Sequence, residues 1–581
     1  MPLTQLTTDS ISVPGTPLRR DYFAAAAICL LGFFLRVWNF SQLGLTHFDE
    51  GVSAWSGFWT LHKFAGPALY PWQKLFSPPG YFGLVGIAYW LSGGPSAQAA
   101  IAINILGGTA TVVLVWWTGC RWFGRRAGLF SAALVACSEF QIAFSRTALT
   151  DTLFAFLFLL ALAMIAMWME RERPAFALLA GLAAGAAWNV KYHGWLALAV
   201  AAAVIALALL TGKVERAKAK RFIFLWGLMA AVAVACFLPW FLQVQIHMGG
   251  YGEVEAFHGK FLDFHWISNF VRQAQEQIYF EGWLSRLAPA GAFLLASVSH
   301  GKIPEQRWKI IALAAVALTL SGMAVGGVGT WTWLAAFGLR VAWKKERFFG
   351  PLLVVGFFVF FIMGPFFSLR TGLYLPWILI AQLLAGASFN SLLPLSAQAD
   401  LAFSGLSEKI STRFFAGAAA FFAILIFAIG ARTKSNEIPW ASTANSRDAA
   451  HKLMAQIPKD ATVFVVGEPQ IGFYFRSAGY HTYCLHYLAF NQIAPDPIMY
   501  ALSNSGPIYV IGGYYARDEY NWRRILAAVP YRFQAVDKIP MTAGDIQLLD
   551  DFSPREAAAY KANPDSRYDL DLLTINRNSM K

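Results

Sequence analysis

The stretch Thr46-His47-Phe48-Asp49-Glu50-Gly51 holds two adjacent carboxylates just beyond the first apolar run, Phe23 to Trp38. An ionised pair is expensive where a helix has just left a bilayer. A carboxylate there is well placed to take a proton from an acceptor hydroxyl. A second carboxylate, Asp151, opens a later apolar run, and basic residues stand at or near other run ends: Arg36, Arg146, Lys191, Arg370 and, before a proline pair, Lys74. Cations at that depth suit contact with anionic lipid headgroups. His47, Tyr192, Tyr374 and His265 are the polar side chains best placed to touch a substrate. Asp49 and Glu50 are the candidate catalytic pair, with Asp151 a second candidate carboxylate.

Each residue also has a plainer role. Asp151 stands where a helix cap belongs. Lys191 and Arg370 can snorkel from helix ends. Glu139, about one turn inside a run, is expected to pair locally, because an ionised group there is costly. His47 reads as a loop hydrogen-bonder before a metal ligand. The pairs Gly181/Gly185 and Gly322/Gly326 fit close helix packing.

The elements that must carry these residues follow from composition. Of 581 residues, 57% are hydrophobic and 14% charged, against near 25% charged in soluble domains. Apolar runs able to cross about 30 Å of hydrocarbon recur between residues 22 and 430. We expect thirteen crossings, near 22–38, 97–118, 127–144, 152–169, 174–190, 194–211, 222–241, 286–300, 309–328, 329–343, 349–367, 372–390 and 414–430. The turns this order places inside carry 20 Lys and Arg, and those outside carry 9, which orients the chain. Asp49 and Asp151 then face outward, as do the long segments 39–96 and 242–285. The stretch from Pro78 to Leu91 reads as a helix lying on or dipping into the outer face.

The expected divisions are an inner tail 1–21, a transmembrane domain 22–430 and an outer α/β domain 431–581. In the last, a helix near Ser446–Ile457, strands at Ala461–Val466 and Pro507–Ile511, and a helix near Tyr520–Ala528 alternate. Residues 1–430 hold 30 Lys and Arg against 18 Asp and Glu, a balance of +12, and residues 431–581 hold 16 against 15. The basic excess therefore belongs to the membrane part and reads as topology and contact with membrane lipids, with no nucleic-acid partner. Five scattered cysteines form neither a disulfide framework nor a zinc spacing. No cofactor is indicated; a divalent metal is compatible with the chemistry, but no ligand spacing points to one. The first run lacks a small-residue cleavage site and is expected to remain as an anchor.

Arg36, the Asp49-Glu50 pair, Ser77-Pro78-Pro79, the run from Arg146 to Asp151, Lys191-Tyr192 and the run from Arg370 to Pro376 occur in an order that resembles the GT-C fold membrane glycosyltransferases. The protein O-mannosyltransferases and lipid A aminoarabinose transferases of glycosyltransferase family 39 are the most similar. The resemblance covers about residues 20–430. It departs at Ser77, where the family often carries Lys or His, and Lys74 is the substitute. It implies transfer of a sugar, with inversion, from a polyprenyl-phosphate donor to a lipid, glycan or protein acceptor. It also implies Asp49 as the base or acceptor-orienting carboxylate, Glu50 as orienting the loop and the acceptor, Asp151 as a second carboxylate of the same cavity, Arg36, Lys191, Arg370, Arg146 and Lys74 as phosphate contacts, and a plasma (inner) membrane location with the site outward. Two other classes stay open: a transporter or flippase for a lipid-linked sugar, which calls for mid-membrane charges on broken, repeated helices, and a non-catalytic membrane scaffold.

Overall fold

A computed structural model describes residues 19–61, 77–212, 214–247, 249–298, 305–345, 347–367, 371–403, 445–485, 506–517 and 529–580. The chain starts with an apolar helix, α1 (Arg19–Val37), followed by two shorter helices, α2 (Phe48–Leu61) and α3 (Gly80–Leu91), and then α4 (Ala97–Thr118). A bent pair, α5 (Arg125–Ala136) and α6 (Glu139–Ser145), leads to α7 (Asp151–Arg171), α8 (Pro174–Val190), α9 (Leu196–Leu210) and α10 (Arg216–His247). After α11 (Tyr251–Gly259) and α12 (Trp266–Tyr279) come α13 (Trp283–Val298), α14 (Glu305–Lys345), α15 (Phe349–Met363) and α16 (Leu375–Phe403). Among the described residues eight helices are long and apolar enough to cross a membrane, or nine if the bent pair is one span. Twelve of the expected crossings fall on these helices and on the shorter α8 and α13; the thirteenth, 414–430, lies outside the described residues. The protein is an integral, multi-pass membrane protein.

Two lengths carry information. Helix α3 has 12 residues and rises about 18 Å, far short of the hydrocarbon thickness. It lies instead against α2, where the Tyr89 hydroxyl donates to the Ala54 carbonyl (2.9 Å). Helix α14 has 41 residues, too many for one span, and is two helices. Gly326 has φ 77°, and the Ser321 and Thr330 hydroxyls are 2.9 Å apart, whereas nine residues of straight helix rise about 13 Å. The chain reverses at Gly326, between the expected runs 309–328 and 329–343. Only glycine adopts this φ without strain, so Gly326 serves a turn rather than packing. Glu281 accepts from the Gly327 and Val328 amides and so caps the returning helix. Glu139 does the same for α13, accepting from Gly282 and Ser285. Glu139 is expected to pair locally; these partners instead lie 143 and 146 residues further along the chain. Gly322 meets the backbone of Arg286 on α13, and Gly181 and Gly185 let α8 approach α10 at Met229, Val232, Ala233 and Cys236.

Among the described residues the C-terminal part forms a five-stranded sheet of order β2-β1-β3-β5-β4, with β1 (Thr462–Val466), β2 (His481–Leu485), β3 (Ile508–Gly512), β4 (Tyr531–Ile539) and β5 (Leu570–Met580). Strand β1 runs parallel to β2 and β3, while β5 is antiparallel to β3 and β4. The expected helix appears as Asn445–Met454, and the expected strands as β1 and β3. The expected helix near Tyr520–Ala528 lies outside the described residues.

Candidate active site

The site is built on the start of α2. The Gly51 amide donates to the His47 carbonyl (3.2 Å), which makes His47 the cap residue and Asp49 and Glu50 members of the first turn. A carboxylate in the first turn is favoured by the exposed amides and the helix dipole. Glu50 bends back instead of facing solvent. Its Oε2 accepts from the Thr46 and His47 amides (2.8 and 2.9 Å), as the glutamate of a capping box does. Its Oε1 accepts from the Ala148 amide (2.7 Å), and the residue is fully buried. Burial raises the Glu50 carboxyl above its ordinary range, against the Thr46 and Ala148 amides, which favour the charged form. Glu50 thus clips the Asp49 turn to the turn that presents Asp151. Asn104 grips that second turn from below, donating to the carbonyls of Thr147 (2.8 Å) and Leu149.

The two turns share a cavity of about 360 Å³ lined by His47, Asp49, Asp151, Lys191 and Tyr192 from the expected set. Lys191 stands where α8 ends, and its Nζ lies 2.5 Å from the Asp151 carboxylate at the head of α7. The two are ion-paired, a contact that spacing alone does not reveal. Gly372 lies so close to Asp151 that a Cβ there would collide with its carboxylate. The Tyr192 hydroxyl accepts from Trp240 (3.1 Å). Apolar walls come from Phe82, Leu196, Phe261, Phe360 and Phe367. The cavity is thus polar where helices begin and end, and apolar beside the spans.

Several expectations need correction. Arg36 is fully buried and turns inward, donating to the Gly32 and Val135 carbonyls (2.9 and 3.3 Å) and to Ser145 Oγ (3.2 Å). It satisfies carbonyls at the end of α5 and does not line the cavity. Arg146 does the same for the end of α1, donating to the Arg36 and Trp38 carbonyls (3.0 and 2.6 Å). His265 is mostly exposed, bonded to Asp263 at 2.5 Å, and lies outside the cavity. Tyr374 is buried against Gly364, behind the wall. Glu50 lies beneath the site rather than in it. Lys74 and Arg370 lie outside the described residues. Sequence reasoning missed Asp550 and Ile546 of the C-terminal residues, and His193, all of which line the cavity. His258 and Phe261 also line it and come from the aromatic-rich segment 242–285. Among the described residues no group of three His, Cys, Asp or Glu side chains is arranged to hold a metal ion.

Comparison with known proteins agrees with this architecture. Residues 77–241 match the family model of dolichyl-phosphate-mannose-protein mannosyltransferases. A search of curated protein sequences found no significant match. Among solved structures, ArnT from Cupriavidus metallidurans in the apo state aligns over 95% of this chain and 97% of its own, at 15% identity and TM-score 0.52. The same protein bound to undecaprenyl phosphate gives TM-score 0.53 at the same identity and coverage. The oligosaccharyltransferase of Archaeoglobus fulgidus tethered with an acceptor peptide aligns over 85% of this chain and 69% of its own, at 15% identity and TM-score 0.50. Apolar helices, a carboxylate-lined cavity, the family match over part of its walls and the shared architecture lead to one conclusion: the chain has the GT-C fold seen in ArnT, and its residues 77–241 are similar to the dolichyl-phosphate-mannose-protein mannosyltransferases.

Proposed function

We propose that this enzyme transfers a sugar from a polyprenyl-phosphate donor to a lipid, glycan or protein acceptor on the outer face of the plasma (inner) membrane. One observation carries the reading: Asp49 and the Asp151–Lys191 pair line a single cavity at the ends of apolar helices, with aromatic walls beside the spans. A polar headgroup at the carboxylates and an isoprenoid chain along the apolar wall fit that division. The structure of ArnT with undecaprenyl phosphate supports a carrier of this class.

In this reading Asp49 takes the proton from the acceptor hydroxyl as that oxygen attacks the anomeric carbon. The bond from that carbon to the phosphate oxygen breaks on the opposite face, and the carrier phosphate leaves with the electron pair. Lys191 turns from Asp151 toward that phosphate, and Asp151 positions the lysine and the sugar. Arg370 and Lys74 are further candidate phosphate contacts. The test is the purified protein in nanodiscs, offered a polyprenyl-phosphate sugar or a nucleotide sugar. Transfer from the lipid donor alone is expected. Efficient transfer from a nucleotide sugar with no polyprenyl phosphate present would overturn the reading. A transporter would move the lipid-linked sugar between leaflets without forming a glycosylated product.

A further inference from the structure

Asp550 lies 503 residues from His47 in the chain, yet its Oδ2 is 2.9 Å from His47 Nε2. It stands on the helix Asp545–Asp551 of the C-terminal residues and lines the same cavity as Asp49. We propose that Asp550 is a positioning residue for sugar transfer, and that the C-terminal domain is a working wall of the active site. The inference rests on the transferase reading of the cavity.

The geometry runs through the cap of α2. The Asp49 amide donates to His47 Nδ1 (2.9 Å), and a ring nitrogen that accepts carries no proton. The proton of the neutral ring is then on Nε2, where it donates to Asp550. The carboxylate selects the tautomer and the ring orientation, as partners of functional histidines commonly do. The ring in turn fixes the Asp49 amide, and with it the direction in which the Asp49 side chain leaves the backbone. A second grip lies beside the first: the Phe48 amide donates to Gln547 Oε1 (2.8 Å), one turn before Asp551 on the same helix. Gln547 Nε2 is held by Asp551 (2.9 Å) and by the Tyr515 hydroxyl. Asp551 also accepts from Tyr515 (2.8 Å) and Tyr568 (2.5 Å), residues adjoining β3 and β5. Two of the amides that an α-helix leaves unsatisfied at its start are thus satisfied, one by Gln547 directly and one by the His47 ring that Asp550 holds. Ile546, next to Gln547 on the same helix, lines the cavity on that side.

The experiment uses the full chain in nanodiscs, with Asp550→Ala, Asp550→Asn, His47→Ala and the double variant His47→Ala/Asp550→Ala. Asp550→Ala should lower kcat about tenfold, within the range that misplacement of a reacting group costs, with KM for the donor little changed. Asp550→Asn, whose amide oxygen still accepts from Nε2–H, should recover most of that loss. The double variant should be no slower than His47→Ala alone, because Asp550 acts through His47. Independently of turnover, hydrogen exchange over residues 46–50 should accelerate in Asp550→Ala while β3 stays protected. Full kcat in Asp550→Ala, additive losses in the double variant, or unchanged exchange over 46–50 would each overturn the proposal. If the wild type transfers no sugar from any polyprenyl carrier, the transferase reading fails by itself, and the exchange measurement still decides whether Asp550 anchors the turn.

Discussion

At the scale of single residues, the site separates groups that face the cavity from groups that hold it open. Asp49→Asn keeps the shape of the side chain and loses its basicity. We expect a loss of about 10²–10⁴-fold in kcat with carrier binding retained, measured by turnover and by lipid binding in nanodiscs. Near wild-type turnover would remove Asp49 from the mechanism. Asp151→Asn should cost less, since its assigned work is to position Lys191 and the sugar. Arg370→Ala should weaken use of the carrier lipid. Arg36 belongs to the other group. Its guanidinium bonds carbonyls at the end of α5, so Arg36→Ala should destabilise the protein by on the order of 3 kcal/mol. The carrier affinity of the fraction that folds should be unchanged. A specific rise in the carrier Kd, with stability intact, would restore Arg36 as a phosphate contact.

At the scale of elements, two glycines do work that no side chain can share. Gly51 lies in the second turn of α2, where a Cβ would run into the backbone of Pro469 and Gln470 on the helix Pro469–Ser477. Neither backbone can yield as a flexible side chain would. Gly51→Val should therefore push the C-terminal sheet off α2, lowering kcat and raising protease sensitivity near residues 45–51. A fully active, protease-resistant Gly51→Val protein would show that the contact is dispensable. Gly326 carries the reversal between the two halves of α14. Gly326→Ala should cost about 1–2 kcal/mol of stability from the left-handed backbone alone, read as a lower thermal midpoint with the donor KM unchanged.

At the scale of the whole molecule, the 39–47 loop and the C-terminal domain share a side, because they touch. The Leu45 amide donates to the Tyr474 hydroxyl (2.9 Å), and Arg272 of α12 donates to the Leu549 carbonyl (3.1 Å). A reporter fused at the C-terminus should therefore be active only in its non-cytoplasmic form, together with one inserted in the 39–47 loop. Activity of the cytoplasmic form would reverse the orientation proposed for the site. The domain should also loosen as pH rises. Burial is the main reason the Glu468 carboxyl is pushed up to about 8, opposed by its bond from Gln470. An acid raised in the folded state contributes stability that is present below its unfolded pKa and lost as pH rises through the folded one. Stability attributable to Glu468 should thus fall between about pH 4.5 and 8. Glu468→Gln should flatten that slope in thermal unfolding; an unchanged slope would assign the pH dependence elsewhere.

What sequence determined here was one-dimensional. Hydropathy and Lys/Arg asymmetry sufficed for the order of the apolar helices, because membrane insertion responds to runs of residues and to the charges at their ends. Asp49 and Asp151, which line one cavity, were legible as candidates because each marks a helix start at such an end. The two halves of α14 were legible for the same reason, although the turn at Gly326 was not. Tertiary structure alone decided which basic residues face the cavity. A helix-end arginine can snorkel outward or turn to bare carbonyls, and for Arg36 the carbonyls lie 99 and 100 residues further along the chain. Distance hid Asp550 as well. No local pattern marks an aspartate as the partner of a histidine 503 residues away. Only the packing of the C-terminal sheet onto α2 brings that carboxylate within hydrogen-bond reach of the ring that caps α2.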